Sequence, residues 1–143
     1  KTCEKLLNVG VKYIDISGFG GTNFIEIENL RRTDLDFTNI YGWGIPTAKC
    51  IIDCRNISKD FTLIGSGGIK TGEDIAKAII LDMTAIAGEV LRYLVHGGYK
   101  FAEDYLKSLI YQTKMIMLLL GVRNIEELKK VEYKIFGKLK DIS

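Results

Sequence analysis

Apolar and polar residues alternate in short blocks along this chain, and the period of the alternation switches between that of a helix and that of a strand. Residues 2–8 place their apolar side chains on one helical face, and Gly10 follows as a stop signal. Residues 11–17 (VKYIDIS) alternate strictly, so Asp15 and Ser17 lie on one face of a predicted strand. The chain therefore opens with a helix followed by a half-buried strand.

The same alternation of strand and helix recurs twice more. Thr71 and Asp74 have the spacing of a capping box, which predicts a helix start. Residues 18–45 carry no clear period and are predicted to be a long loop, and Pro46 is suited to the first turn of a helix. The remaining predicted elements are a helix to about residue 56, a strand in DFTLIGSGG, a helix over 72–81, a strand in MTAIAG, and helices over 89–95, 100–120 and 124–131.

Strands that alternate with helices and end in glycine favour a parallel sheet of the α/β class. A dinucleotide-binding fold is disfavoured, because the chain has no GxGxxG motif. Short strands with small polar residues at their carboxyl ends are typical of a TIM (β/α)8 barrel, which needs eight strands and about 250 residues. We expect residues 1–143 to be the C-terminal part of one such domain, with about three βα units plus C-terminal helices. The chain begins at Lys1, within a predicted helix, and the first five units are expected to be missing.

Composition narrows the class of partner. The 20 basic and 18 acidic residues leave a net charge of +2, which gives no electrostatic reason to expect nucleic acid binding. No signal peptide is evident, and the apolar run MIMLLLG is too short to span a membrane, so we expect no membrane partner. Three cysteines and one histidine suit neither a disulfide framework nor a zinc site, which favours buried thiols in a reducing cytoplasm.

Two glycine-containing loops are candidates for binding a phosphate. In many barrels a phosphate lies between the loops after strands seven and eight, near a helix N-terminus. If GSGGIK and AGE follow those strands, their backbone N–H groups point at one anion, because such N–H groups are unpaired and the helix dipole is positive there. Plain turns are the alternative. The predicted contacts are Gly67, Gly68, Ile69 and Lys70 on the first loop, and Ala87 and Gly88 on the second.

A third glycine cluster, DISGFGGTNF, follows the first strand. Its glycines would allow a flat ring to lie close to the backbone, with hydroxyl groups offered by Ser17 and Thr22, although a flexible turn is equally compatible. Asp15 is expected to be a buried carboxylate with a structural partner. Trp43 and Tyr41 are expected either to cover a ligand or to plug the mouth of the barrel.

The segments DISGFGGTNF, WGIPTA, GSGGIKTGEDIAKA and MTAIAG, in this order and spacing, resemble type 2 isopentenyl-diphosphate isomerase, the flavin-dependent kind. The C-terminal MLLLGVRNIEELKKV is similar to the closing helices of that family. The pair GGTNF and WGIPTA is fairly specific, whereas GSGGI is shared by many FMN barrels. The resemblance extends over essentially the whole chain.

This resemblance implies an FMN-binding barrel domain that converts isopentenyl diphosphate to dimethylallyl diphosphate in isoprenoid biosynthesis. The implied cofactors are reduced FMN and Mg2+, with NAD(P)H serving to reduce the flavin without net redox change in the substrate. It also implies that Ser17 and Thr22 contact the flavin and that Gly67, Gly68, Ile69, Lys70, Ala87 and Gly88 surround its phosphate. Lys70 stands where the family often has Arg.

The resemblance also defines what this sequence does not contain. The family's flavin-contacting Lys, substrate-binding Gln and Mg2+-binding Glu belong to earlier strands, so no catalytic or metal-binding residue is assigned to this chain. The segment ILDMTAIAG is two residues shorter than the family's usual turn. We expect the chain alone to be inactive, and to pair with the missing N-terminal half or to self-associate as a homo-oligomer, because open strand edges invite pairing.

Two further functions are compatible with the sequence. One is another FMN-dependent barrel oxidoreductase, such as a 2-hydroxy-acid oxidase or a glutamate-synthase-like enzyme. The oxidases use a His base near strand seven, and no His precedes GSGGIK in this chain. The other is a truncated, non-catalytic chain that persists as an assembly module.

Overall fold

The computed structural model describes residues 1–32, 34–78 and 82–141 and confirms the repeated alternation of strand and helix. Within these residues the strands form one three-stranded parallel sheet in the order β1-β2-β3. The elements in chain order are α1 (Thr2–Asn8), β1 (Tyr13–Ser17), α2 (Phe24–Arg31), a 3₁₀ turn (Thr38–Ile40), α3 (Thr47–Ile57), β2 (Thr62–Ser66), α4 (Gly72–Ala78), β3 (Met83–Thr84), α5 (Gly88–Leu119), α6 (Ile125–Leu128) and α7 (Lys138–Asp141).

The register of the sheet brings the carboxyl ends of its strands together. Ser17, the last residue of β1, pairs with Ser66, the last residue of β2, and Gly65 of β2 pairs with Thr84 of β3. Because the strands are parallel, the loops that follow them all leave the same end of the sheet, the one formed by the carboxyl ends of the strands. The glycine loops identified in the sequence therefore lie side by side.

The apolar core lies on one face of the sheet, under α1 and α3. Leu63 at the centre of β2 has no exposed surface, and Ile14 of β1 is buried beside it. The opposite face of β1 is open, since Tyr13 remains 71% exposed. The alternation predicted for this strand is confirmed, but one side of the sheet has no covering layer among the described residues. The core cluster consists of Cys3, Ile14, Ile51, Phe61, Leu63 and Ala78.

The prediction of a long loop over residues 18–45 is wrong, because α2 and a 3₁₀ turn lie within it. The side-chain oxygen of Asn23 accepts a hydrogen bond from the backbone N–H of Glu26 at 3.3 Å and caps α2. No residue of α2 is buried. A helix without a buried face leaves no periodic apolar signal in the sequence, which is why the pattern missed it.

Smaller differences concern the ends of elements. Pro46 is the N-cap residue of α3 and precedes its first turn. β3 consists only of Met83–Thr84, because the chain leaves the sheet after Ala85 donates a hydrogen bond to Gly65. The end of the helix predicted over 72–81 lies outside the described residues. The two helices predicted around residue 98 lie end to end in α5, interrupted at Gly98 by a φ of 76°.

Asp82 joins four elements on the side of the sheet away from the loops. Its Oδ2 accepts hydrogen bonds from the backbone N–H of Leu63 at 2.9 Å and from the guanidinium of Arg55, and Lys129 lies 3.9 Å from Oδ1. Burial by itself raises the pKa of the Asp82 carboxyl, but the hydrogen bonds from Leu63 and Arg55 outweigh it, and the pKa lies below its usual range. The charged form is therefore favoured in the folded state.

Replacing this carboxylate, as Asp82→Asn, is expected to lower the free energy of unfolding by about 1.5–3 kcal/mol at pH 7, the range for a hydrogen bond to a charged group. Because the folded pKa is depressed, this contribution is present above the unfolded pKa of about 4 and is lost as the pH falls through the folded value. Urea denaturation at pH 7 and pH 3 measures both effects. The exposed Asp60→Asn is the matched control. Equal losses for the two variants at pH 7 would contradict this role for Asp82.

Candidate functional site

A cleft of about 530 Å³ opens at the carboxyl ends of the three described strands. Every residue predicted as a contact lines it: Ser17, Thr22, Gly67, Gly68, Ile69, Lys70, Ala87 and Gly88. The structure thus brings these residues to one place, and their role as flavin and phosphate contacts stays a prediction. Gly20 and Gly21, which were expected to leave room for a flat ring, and Asp15 also line the cleft. No prediction from the sequence concerned the other lining residues, which are Phe24, Ser66, Ala85, Ile86 and Glu89.

The loops after β1 and β2 pack directly on each other. A Cβ atom built on Gly68 would lie 2.6 Å from the carbonyl oxygen of Gly20, and one built on Gly67 would lie 2.4 Å from Oγ of Ser17. Gly67 and Gly68 also adopt φ values of 80° and 82°, which side chains disfavour. These glycines are needed for the contact between the two loops, in addition to any space they provide for a ligand.

The start of α3 and the residues just before it secure the loops after β1 and β2. The hydroxyl of Thr47 donates a hydrogen bond to the carbonyl of Gly67 at 2.8 Å, and the N–H of Phe19 donates one to the carbonyl of Ile45 at 2.7 Å. A Cβ atom on Gly18 would lie 2.5 Å from the backbone nitrogen of Thr47. The segments SGFGG and WGIPTA therefore form one structural unit, although they are separated in the sequence by α2.

The loop after β2 is fixed by hydrogen bonds from both sides. The capping box at α4 is confirmed, since Thr71 Oγ1 accepts from the N–H of Asp74 at 3.1 Å and Asp74 accepts from the N–H of Thr71 at 2.9 Å. Burial raises the pKa of the Asp74 carboxyl, but hydrogen bonds from the Thr71 hydroxyl and from the backbone N–H groups of Lys70 and Thr71 outweigh it, and the pKa lies below its usual value. On the other side, the hydroxyl of Tyr105 donates to the carbonyl of Lys70 at 2.8 Å. The loop that carries Lys70 is therefore held at defined positions on α4 and α5.

The N-terminus of α5 forms the third wall of the cleft. Ala87 is its N-cap residue and makes no side-chain capping hydrogen bond. A Cβ atom on Gly88 would meet no atom within 4 Å, so this wall is open to the cleft. The first N–H groups of a helix have no acceptor within the helix, and the helix dipole is positive at this end. An anion in the cleft would meet favourable donors here.

Asp15 is not buried, which corrects the expectation from the sequence. It is exposed in the cleft, and its Oδ1 accepts a hydrogen bond from the hydroxyl of Ser66 at 2.6 Å. The face of β1 that carries Asp15 is uncovered among the described residues, so the carboxylate remains hydrated. The partner that the sequence left unnamed is Ser66. Ser66 is the last residue of β2, as Ser17 is of β1, and this shared position is the sequence signal that could have identified Ser66.

Lys70 and Glu89, which line the cleft, form a charged network with the neighbouring Arg92. Lys70 Nζ lies 3.7 Å from Oε1 of Glu89, and Arg92 donates to Oε2 of the same carboxylate from Nε at 2.9 Å and from Nη2 at 2.6 Å. The hydrogen bonds from Arg92, together with the charges of Arg92 and Lys70, hold the pKa of Glu89 below its usual value. Glu89 is thus an anion at neutral pH. No prediction from the sequence concerned this residue.

Tyr41 and Trp43, predicted either to cover a ligand or to plug the mouth of the barrel, do not line the cleft. Tyr41 accepts a hydrogen bond at its hydroxyl from Asn29 at 2.7 Å, and its carbonyl accepts one from Asn23 at 3.1 Å. Trp43 is 81% exposed. Tyr41 therefore holds α2 in place against the 3₁₀ turn.

The cysteines do not form a metal site among the residues that the structure describes, where no group of three acidic, His or Cys side chains is arranged to hold an ion. Cys50 and Cys54 lie one turn apart on α3, as predicted. Burial, together with the neighbouring Cys3, raises the pKa of the Cys54 thiol to about 11. Protonated thiols are poor metal ligands.

In the described part of the chain, no helix has the length and apolarity needed to cross a membrane.

Comparison with known families and curated proteins gives consistent results. The family model for FMN-dependent dehydrogenase matches residues 1–134. An isopentenyl-diphosphate delta-isomerase of Bacillus licheniformis is 45% identical over 138 residues, covering 95% of this chain and 39% of the relative. An isopentenyl-diphosphate delta-isomerase of Geobacillus sp. is 42% identical over 139 residues, covering 96% and 40%. The chain therefore spans about 40% of the length of the curated relatives it matches.

Solved structures of low sequence identity show the fold. A mandelate oxidase variant with a monooxide FMN adduct superposes with a TM-score of 0.64 at 18% identity, covering 94% of this chain and 38% of that protein. A flavocytochrome b2 variant with pyruvate bound gives a TM-score of 0.60 at 24% identity, covering 90% and 30%. Together with the parallel sheet, these likenesses confirm the prediction that the chain has the fold of part of a (β/α)8 barrel.

Proposed function

The chain belongs to the FMN-dependent dehydrogenase family, and from that premise we propose that it forms the cofactor-phosphate side of an isopentenyl-diphosphate delta-isomerase. The proposed reaction converts isopentenyl diphosphate to dimethylallyl diphosphate as a step of isoprenoid biosynthesis. Relatives with that name are 42% and 45% identical over nearly the whole chain. Because the chain spans about 40% of their length, the activity is proposed for an assembly that includes the rest of the barrel.

The observation that carries this proposal is the convergence of three loops on one cleft. Predicted phosphate contacts come from the loop after β2 and from the start of α5, which are adjacent only because β2 and β3 are parallel neighbours. Backbone N–H groups at a helix start suit a phosphate because they are unpaired and directed at the ligand. The cleft has room for the phosphate end of a flavin, and the open position at Gly88 allows a phosphate to approach the backbone.

The chain's own residues would bind and orient the flavin. Gly67, Gly68 and Ile69 would donate backbone hydrogen bonds to the phosphate, and Lys70 would add a positive charge beside them. Ser17 and Thr22, which line the same cleft, would offer hydroxyl groups nearer the ring. Bound reduced FMN would supply the group that exchanges protons with the substrate.

The other parts of the proposed reaction depend on the rest of the barrel. No Mg2+ ligand set is assigned to the described residues, so we place the Mg2+ site, the substrate diphosphate and the acid–base groups on the part of the relatives that this chain does not match. NAD(P)H would serve only to reduce the flavin. We also propose a cytoplasmic location, which is supported by the free thiols of the three cysteines, all of which the structure describes.

The proposed partner is the remainder of the barrel. The face of β1 that carries Tyr13 is exposed, and Tyr13 itself is 71% exposed. In α2, Phe24 and Leu30 are 76% and 80% exposed. Apolar surface of this kind near an unpaired strand edge favours association with a complementary chain or with a second copy. In the absence of the complementary part, we expect the chain to self-associate.

The proposal is tested first by the preference for FMN over riboflavin, which differ only in the phosphate. We expect FMN to bind on the order of tenfold more tightly or better, since each hydrogen bond to a charged group contributes about 1.5–3 kcal/mol. Equilibrium dialysis of the 143-residue chain against each flavin measures the two affinities. Equal affinities would mean that the glycine loops do not bind the phosphate, and the proposed site would then be wrong.

A further inference from the structure

The charge of the cleft is unusual for a site proposed to bind a phosphate ester. Among the described residues that line it, Lys70 is the only cation, whereas Asp15 and Glu89 are both carboxylates. The formal charge of the lining is therefore one positive minus two negative, or −1. A dianionic phosphate would gain little from overall attraction to such a cleft.

Glu89 is placed where it competes most directly with a phosphate. It follows Gly88 in the first turn of α5, and its Oε1 lies 3.7 Å from Lys70 Nζ. The same ammonium group cannot neutralise both the carboxylate and a phosphate at full strength. A carboxylate in the first turn of a helix also occupies the region of positive potential that favours an anion.

Arg92 keeps this carboxylate from turning away. It donates two hydrogen bonds to Oε2, of 2.9 Å and 2.6 Å, and its guanidinium lies 5.0 Å from the centre of the Tyr93 ring. The Glu89 side chain is only 19% exposed, whereas Lys70 is 59% exposed. Lys70 is thus the more exposed member of the pair, and Glu89 is the one held in place by Arg92.

We propose that Glu89 is a specificity-determining residue that weakens the affinity of the cleft for a phosphate monoester, because Lys70 must leave its ion pair with Glu89 to reach the bound phosphate. This inference rests on the proposed binding of FMN through its phosphate. It follows that backbone donors provide most of the affinity and that Lys70 contributes its charge only after its ion pair with Glu89 is broken. The preference for FMN over riboflavin is then smaller than the loops alone would give.

The test compares the wild-type chain with Glu89→Gln, which removes the charge and keeps the shape. In low salt we expect FMN to bind roughly two- to fivefold more tightly to the variant, the range for a partly exposed ion pair, with the gain shrinking as salt is added. Riboflavin affinity is expected to stay unchanged. Inorganic phosphate should compete with FMN more effectively on the variant. Unchanged or weaker FMN binding by Glu89→Gln would overturn the inference and would indicate that Glu89 instead orients Lys70 for the phosphate.

Two control variants separate the causes. Glu103→Gln removes another carboxylate of α5, which pairs with Lys100 and Lys107 away from the cleft, and should leave FMN affinity unchanged. In a Lys70→Ala background the gain from Glu89→Gln should largely disappear, because the released cation is missing. A full gain in that background would overturn the role of Lys70.

The two proposals fail differently. A wild-type preference for FMN over riboflavin that becomes larger in Glu89→Gln would support the role of Glu89. Equal affinities in both proteins, or no flavin binding by either, would overturn this inference together with the phosphate site. A wild-type FMN preference that Glu89→Gln leaves unchanged would overturn the role of Glu89 alone.

Discussion

The 143-residue chain by itself is expected not to isomerise isopentenyl diphosphate, even with Mg2+ and reduced FMN present. Correctly positioned acid–base groups typically supply about 10²–10⁴-fold of rate, and no such group is assigned to the described cleft. The one carboxylate–hydroxyl pair inside it, Asp15 with Ser66, lies on a strand face that is open to water. Without a covering layer, water is not excluded from the site and the electrostatic interactions within it are weak.

Adding the complementary part of a relative is expected to restore turnover. A suitable partner is the segment of the Bacillus licheniformis protein that this chain does not match, expressed separately and mixed at equal concentration. The measurement is the rate of dimethylallyl diphosphate formation with each part alone and with both, at matched FMN. Turnover by this chain alone at the rate of the mixture would show that the catalytic groups lie in this chain and that their assignment to the complementary part is wrong. Absence of turnover in the mixture, with FMN bound, would favour a non-catalytic assembly role.

Gly68→Ala is expected to damage both the stability of the chain and its affinity for FMN. The added Cβ would lie 2.6 Å from the carbonyl oxygen of Gly20, and this backbone atom has little freedom to move because its loop is packed on Gly67. The φ of 82° adds conformational strain. A left-handed backbone costs about 1–2 kcal/mol for a residue with a side chain, and overpacking adds about 1–3 kcal/mol, so we expect a loss of about 2–5 kcal/mol in the free energy of unfolding.

Gly121→Ala is the matched control for this substitution. Gly121 has a similar φ of 70°, but a Cβ atom there meets nothing within 4 Å. It should therefore lose only the conformational part, about 1–2 kcal/mol, and keep its affinity for FMN. Chemical denaturation and flavin dialysis measure the two properties. If both variants lost the same amount of stability, the contact between the loops after β1 and β2 would not be what requires glycine at position 68.

Local sequence signals predicted the elements that depend on neighbouring residues. The alternation in residues 11–17 predicted β1 and the face of Ile14, because the side-chain direction in a strand is set by the backbone alone. The spacing of Thr71 and Asp74 predicted the start of α4, because a capping box closes within one turn. The repeated order of strand and helix predicted parallel pairing, since a strand that returns through a helix lies parallel to the previous one.

The features that the sequence missed are those that depend on partners distant along the chain. α2 has no buried residue and is held through Asn29 by Tyr41, 12 positions away, so no local period indicates it. Likewise, the length of β3 depends on where the chain leaves its partner β2, after Ala85 donates a hydrogen bond to Gly65.

The candidate site divides in the same way. The sequence determined which glycine loops follow the strands and that parallel strands place them at one end of the sheet. This was enough to bring the predicted contact residues together in one cleft, and their role as contacts stays a prediction. It did not determine that Ser66 donates a hydrogen bond to Asp15, 51 positions away along the chain, or that Glu89 forms an ion pair with Lys70. Those pairings depend on the register between strands and on where the following helix begins, because side chains that contact each other in space carry no common signal in a linear pattern. Only the tertiary structure decided the charge of the cleft.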